Sequence, residues 1–357
     1  MDYPGRASKL VEAFEAHTID GFLCSRLIHA RYFTGYSGSS GAAGIGQHGV
    51  VVVTDSRYDL QVRAESPHCH VIIDTSLGQS VLKHLAGTGS TRIGVEKDWL
   101  SLSEFEALQN VARELQVELV PVSGLVEALR IIKEPAEIDA IATACSITSQ
   151  AWSNVIERGV VGKTELALAA TIEAEFRYLG AEDRAFESIV ATGSNSAIPH
   201  HHPTSRVVEA GHLLKMDIGA RVEGYHADMT RTVVVGAAQD WQMELYAAVS
   251  AAQQAALAIA RAGADSQTLW EVIDAQNVAD GYGDFIMHRP GHGVGLEIHE
   301  KPFLGRRDGI LQPRMPITVE PGLYLPGRGG VRIEDTIEIL PDGYRYLTNA
   351  NRDFITV

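Results

Sequence analysis

The segment LLKMDIGARVEGYHADMTRT, residues 213–232, constrains this chain more than any other. Asp217 and Asp228 each follow a largely apolar or aromatic stretch, and Gly219 and Gly224 lie between them. The simplest geometry is a hairpin that sets the two carboxylates side by side. Buried carboxylates repel one another and take up a proton unless a cation sits between them. Two acids flanking a turn are also common in solvated loops, so the pair gains meaning only from what accompanies it.

Three later segments accompany it. HRPGHGVGLEIHEKP (288–302) holds His288, His292 and His299, with Gly291, Gly293 and Gly295 around the middle one. Glycines there allow close approach of backbone or ligand, and a histidine between two of them is poorly explained as a core residue. TVEPGLYLP (318–326) carries Glu320, and VRIEDTIEIL (331–340) carries Glu334, both beside β-branched apolar residues. A carboxylate inside such strands is costly unless paired or metal-bound. Alternation along a strand puts Arg332 and Glu334 on one face, so a salt bridge between them is the plainer account of Glu334. For Glu320 the plainer account is a strand-end carboxylate accepting turn N–H groups. Two Asp, two Glu and one His together exceed what one divalent ion needs. The set fits two ions sharing carboxylates. Oxygen-rich donors with one imidazole suit Mn2+, with Co2+ or Zn2+ as alternatives.

The 357 residues suit two domains. A net charge of −15 argues against nonspecific nucleic-acid binding and against docking on an anionic membrane. Cys24, Cys69 and Cys145 are too few and too widely spaced for a disulfide framework or a zinc knuckle. Residues 1–20 are charged throughout, and no run approaches eighteen apolar residues. A soluble, cytoplasmic protein is expected.

Residues 1–125 alternate short apolar strands with amphipathic helices, the pattern of a sheet with helical cover. Helices are expected over 6–17, over GQSVLKHLAG, and from the capping box Ser101-Glu104 to Gln116. Strands are expected at FLCS, on both sides of Gln47-His48-Gly49, at HVIID, RIGVEK and VELVPV. Pro135 suits the first turn of a new helix ending near Gly159, and the domain boundary is placed between 123 and 134. Another helix opens at Thr164-Glu165, and residues 240–263 form a long alanine-rich one.

Read together, RYFTGYSGSSG (31–41), TDSRY (54–58), KEPAEIDAI (133–141), FESIVATGSNSAIPHHHPT (186–204), DIGARVEGYHADMTRT, PGHGVGLEIHEKP, TVEPGLYLP and GGVRIED resemble, in order, the pita-bread metallopeptidases. The resemblance is to the branch holding Xaa-Pro aminopeptidase (aminopeptidase P) and Xaa-Pro dipeptidase (prolidase), and it covers nearly the whole chain. It implies an α/β (α+β) protein: a three-layer α/β domain at 1–125, then a catalytic domain at 134–357 with a curved, mostly antiparallel sheet covered by helices. It implies that Asp217 holds one metal, that Asp228 and Glu334 bridge both, and that His292 and Glu320 complete the second. It assigns Glu320 to proton transfer, and His200 and His299 to the catalytic, substrate-side wall together with His288. Arg332 resembles an arginine that braces a ligating carboxylate, while His201 and His202 are taken as loop residues. A homodimer acting on short peptides with proline second is also implied.

Within the branch, the resemblance of RYFTGYSGSSG places the aminopeptidase first and the dipeptidase second. Phe303 stands where some dipeptidases carry an arginine that reads the substrate carboxylate, and Arg306 and Arg307 are near enough in sequence to substitute. A catalytically silent peptide- or metal-binding protein is the non-enzyme alternative. Pro316 departs from the branch's usual valine, and lacking an N–H it belongs at a strand start or edge.

Overall fold

The computed structural model describes residues 1–357, which divide into two compact units, Met1–Arg130 and Ile131–Val357. In the first unit a six-stranded sheet runs His70–Ile73, Gly49–Thr54, Ala42–Gly46, Gly21–Cys24, Arg92–Glu96, Glu118–Val122. Ala42–Gly46 is antiparallel to both neighbours, and the other pairings are parallel. Alternation gives each face its own core. Val51 and Val53 pack with Val81, Leu85 and Leu108 of the helices Leu77–Gly87 and Leu102–Leu115. Val52 packs with Val62 of the helix Asp59–Glu65. The Ser101 hydroxyl accepts from Glu104 N at 3.2 Å while the Glu104 carboxylate accepts from Ser101 N at 2.9 Å. This capping box starts the helix where the sequence places it. The helix Leu27–Thr34, closed by Gly35 at φ 76°, was not expected. The expected first helix is broken at Ala13 into Tyr3–Glu12 and Phe14–His17.

The second unit is a mixed α/β domain of pita-bread architecture whose strand pairings are all antiparallel. Pro135 occupies the first turn of the helix Pro135–Glu157, which packs with Glu165–Tyr178 against the sheet Met229–Val234, Leu213–Ile218, Ile189–Thr192. The alanine-rich helix stops at Leu257, short of the expected 263, and packs with Ser266–Ala279 against Pro316–Val319 and Asp335–Leu340. Pro316 opens its strand, where its missing N–H costs nothing. Strand alternation then positions the site. Leu214, Met216 and Ile218 are fully buried in the helix-covered core, each contributing about 1.5–3 kcal/mol, so Lys215 and Asp217 must project from the opposite face. All three cysteines are free thiols. No helix is long and apolar enough to cross a membrane.

Candidate metal centre

Asp217 and Asp228 meet as the hairpin argument requires. Leu213–Ile218 pairs with Met229–Val234, with Thr230 opposite Asp217. The chain turns at Glu223 and Gly224, both at positive φ, and Gly219 lets the two arms approach, because a Cβ there would lie 2.0 Å from the Ala227 carbonyl oxygen. His292 is brought in by the strand His292–Gly293, where a Cβ on Gly293 would lie 2.3 Å from the Lys301 carbonyl oxygen. Glu320 follows Pro316–Val319, and Glu334 lies between Gly329–Arg332 and Asp335–Leu340.

These five side chains line one cavity of about 680 Å³ together with His200, His288 and His299. The ligand atoms of Asp228, His292 and Glu334 all lie within 4.8 Å of one another. His292 Nδ1 donates to the Gly293 carbonyl at 3.0 Å, which leaves the Nε2 lone pair facing Asp228 Oδ2 at 3.5 Å and Glu320 Oε1 at 3.4 Å. Asp217 Oδ1 is buried with no hydrogen-bond partner. Burial, reinforced by neighbouring carboxylates, raises the Asp228 and Glu334 carboxyls well above their usual range and pushes Glu320 up to about 8. An orphaned carboxylate oxygen, a cluster of mutually repelling acids and an imidazole turned towards them form a donor set that fits divalent metal.

The salt-bridge account of Glu334 is not what is found. Arg332 pairs with Asp217 instead, and its Nε donates to Thr230 Oγ1 at 2.9 Å. The Thr230 hydroxyl in turn donates to Glu334 Oε2 at 2.8 Å, so Arg332 reaches Glu334 only through Thr230. Arg332 Nη1 donates to Tyr324 OH at 2.8 Å. His288 Nδ1 donates to Arg289 O, so its Nε2 accepts from Tyr324 OH at 2.7 Å. Burial and the Arg332 charge push His288 down to about 3 and also lower His200. His299 is exposed, with its ring 4.4 Å from that of His292.

His201 lies in a loop, as expected, but is not solvated. It is buried and donates from Nε2 to Glu165 Oε2 at 2.8 Å. Burial opposes charge on Glu165, but donors from Thr204, His201, Thr192 and Asn195 outweigh it and hold its pKa below the usual range. His202 is exposed, as expected of a loop. Sequence reasoning also missed Asp335, which accepts from Arg231, Gln253, Thr348 and Arg352 behind the site. Arg231 also donates to the Glu334 carbonyl and so braces that backbone. Of the two candidate arginines, Arg306 lines the cavity, stacked 4.6 Å over the Phe303 ring, and Arg307 does not.

Residues 139–341 match the model of metallopeptidase family M24, and residues 6–132 match the creatinase/prolidase N-terminal domain. The chain belongs to this family, the pita-bread Xaa-Pro aminopeptidase and dipeptidase group, and is a metal-dependent peptidase. It is 33% identical to the Xaa-Pro dipeptidase of Pyrococcus furiosus over 98% of this chain and 99% of that protein. An Xaa-Pro dipeptidase structure from Bacillus anthracis superposes with a TM-score of 0.94 at 33% identity, covering 99% of this chain and 100% of that one. An X-Pro aminopeptidase structure from Thermotoga maritima gives 0.90 at 33% identity, with the same coverage.

Proposed function

We propose that the protein hydrolyses Xaa-Pro dipeptides with two divalent ions, Mn2+ foremost, held by Asp217, Asp228, His292, Glu320 and Glu334. The observation that carries this reading is the convergence of those five donors on one cavity wall beside three histidines. Bound ions supply Lewis-acid polarisation of the scissile carbonyl and activation of water. Glu320 accepts the attacking water's proton and passes it to the proline nitrogen as the C–N bond breaks. His200 and His299, on the same cavity wall, would stabilise the developing oxyanion. Proline's tertiary amide has no hydrogen to donate, so the ring is recognised by shape, by a wall that includes His200, His288 and His299.

The sequence put the aminopeptidase first. The names of the Pyrococcus and Bacillus relatives favour the dipeptidase, and so does Arg306. A dipeptide carries its carboxylate one residue beyond the cleaved bond, and an arginine on the cavity wall can meet it. The Thermotoga relative's name keeps the aminopeptidase as the second reading. Hydrolysis of Ala-Pro and Ala-Pro-Ala by Mn2+-loaded protein, with Asp228→Ala as blank, separates the two. Cleavage of Ala-Pro alone is expected. Rapid release of alanine from the tripeptide would make it an aminopeptidase. Arg306→Ala should raise KM for Ala-Pro about tenfold, the loss of one charge-assisted contact.

A further inference from the structure

Lys215 is fully buried in the middle of a strand whose flanking residues are apolar, on the same face as Asp217. An amine there is costly to desolvate unless its donors are used. They are used on main chain: Nζ donates to the Ile198 carbonyl at 2.7 Å and to the Pro199 carbonyl at 3.2 Å, and it lies 4.9 Å from the centre of the Tyr324 ring. These two carbonyls immediately precede His200. Arg332 Nη1, on the guanidinium that pairs with Asp217, donates to the same Pro199 carbonyl at 3.3 Å. On the other side of His200, the His201 ring and the Thr204 N–H are both bound by Glu165, at 2.8 and 2.9 Å. His200 thus sits between two anchors on a segment whose Ile198 side chain is 49% exposed.

We infer that Lys215 is a positioning residue: by gripping the Ile198 and Pro199 carbonyls it ties the main chain before His200 to the strand that carries Asp217, and so sets the imidazole's distance from the reacting carbonyl. This rests on the substrate-side role of His200 proposed above. Lys215 itself does not line the cavity. Glu165 holds the chain on both sides, at Thr192 and Asn195 as well as at His201 and Thr204, while Lys215 and Arg332 hold the two residues directly before His200.

The test is a double-mutant cycle on Mn2+-loaded enzyme with Ala-Pro as substrate. Lys215→Met keeps the aliphatic stem and removes the donors. It should lower kcat/KM about tenfold or more while leaving two ions bound per chain. In a His200→Ala background it should cost less than about twofold further, because the two residues act through one another. Lys215→Arg, which keeps donors, should recover much of the loss. Hydrogen exchange of Lys215→Met should rise over residues 196–204 and not over Asp335–Leu340. Equal losses in both backgrounds, or unchanged kcat/KM, would overturn the proposal. If His200→Ala alone were fully active, the role given to His200 would fall, whatever Lys215 does to hydrogen exchange. Should the methionine variant not fold, Lys215→Gln, with one amide donor group, takes its place in the same cycle.

Discussion

At the scale of single residues, the site depends on groups that hold its acids in place. Thr230 is the clearest. Its hydroxyl donates to Glu334 and accepts from Arg332, so one small side chain orients a candidate ligand and the arginine bound to Asp217. Thr230→Val keeps the shape and removes both bonds. Partners of this kind typically account for 10- to 100-fold in metal affinity, so an affinity loss of about tenfold is expected, read by titrating Mn2+ into metal-free variant. Unchanged affinity would mean that Glu334 is oriented by its backbone alone. That Asp217, Asp228, His292, Glu320 and Glu334 would gather was legible, because an acid or an imidazole among glycines and β-branched residues is hard to explain otherwise. Thr230 and Asp335 were not. A threonine in a strand is ordinary, and Asp335 shows its purpose only through partners distant in sequence, among them Arg231, 104 positions away. The burial of His201 within its loop was not legible for the same reason: its partner Glu165 is 36 residues upstream.

At the scale of elements, the close approach of the hairpin arms at Gly219 is the most sequence-dependent feature. Gly219→Ala would drive a methyl group into the Ala227 carbonyl, 2.0 Å away, and the Phe186 ring, 2.9 Å away. Backbone cannot yield as a flexible side chain can, so a loss of about 1–3 kcal/mol or more is expected in denaturant unfolding, with weakened metal binding because Asp217 and Asp228 are pushed apart. A variant with native stability and metal content would contradict the packing described. Elements were legible where local chemistry marks their ends. Ser101 with Glu104, Thr164 before Glu165, and Pro135 all start helices at the expected residues. The helix Leu27–Thr34 escaped notice because Arg26 offers no side-chain cap and only Gly35 marks its end. The alanine-rich helix was drawn too long because nothing in its composition marks the stop at Leu257; the chain there turns through Ala258 and Ala260.

At the scale of the whole molecule, pH and metal act on stability together. In metal-free protein Glu320 titrates at about 8, against 4.5 for an ordinary glutamate, so the folded state holds a proton the unfolded chain has released. That contribution is full below about pH 4.5 and is lost as pH rises through about 8. His226 is pushed down to about 4, with burial the main cause. Its contribution is present above about pH 6.5 and is lost as pH falls through about 4, because the unfolded chain takes up the proton first. Divalent ions bind the deprotonated carboxylates, so the rise in Tm on adding Mn2+ should be larger at about pH 8 than at about pH 5.5. Equal rises at the two pH values would show that these acids are not the ligands.

The most direct test of the central claim is a titration of Mn2+ into metal-free protein while Ala-Pro hydrolysis is followed. Negligible activity without metal, rising to a plateau at two ions per chain, is the predicted result. Full activity in the metal-free protein, or a plateau at one ion, would contradict a two-ion centre built from Asp217, Asp228, His292, Glu320 and Glu334.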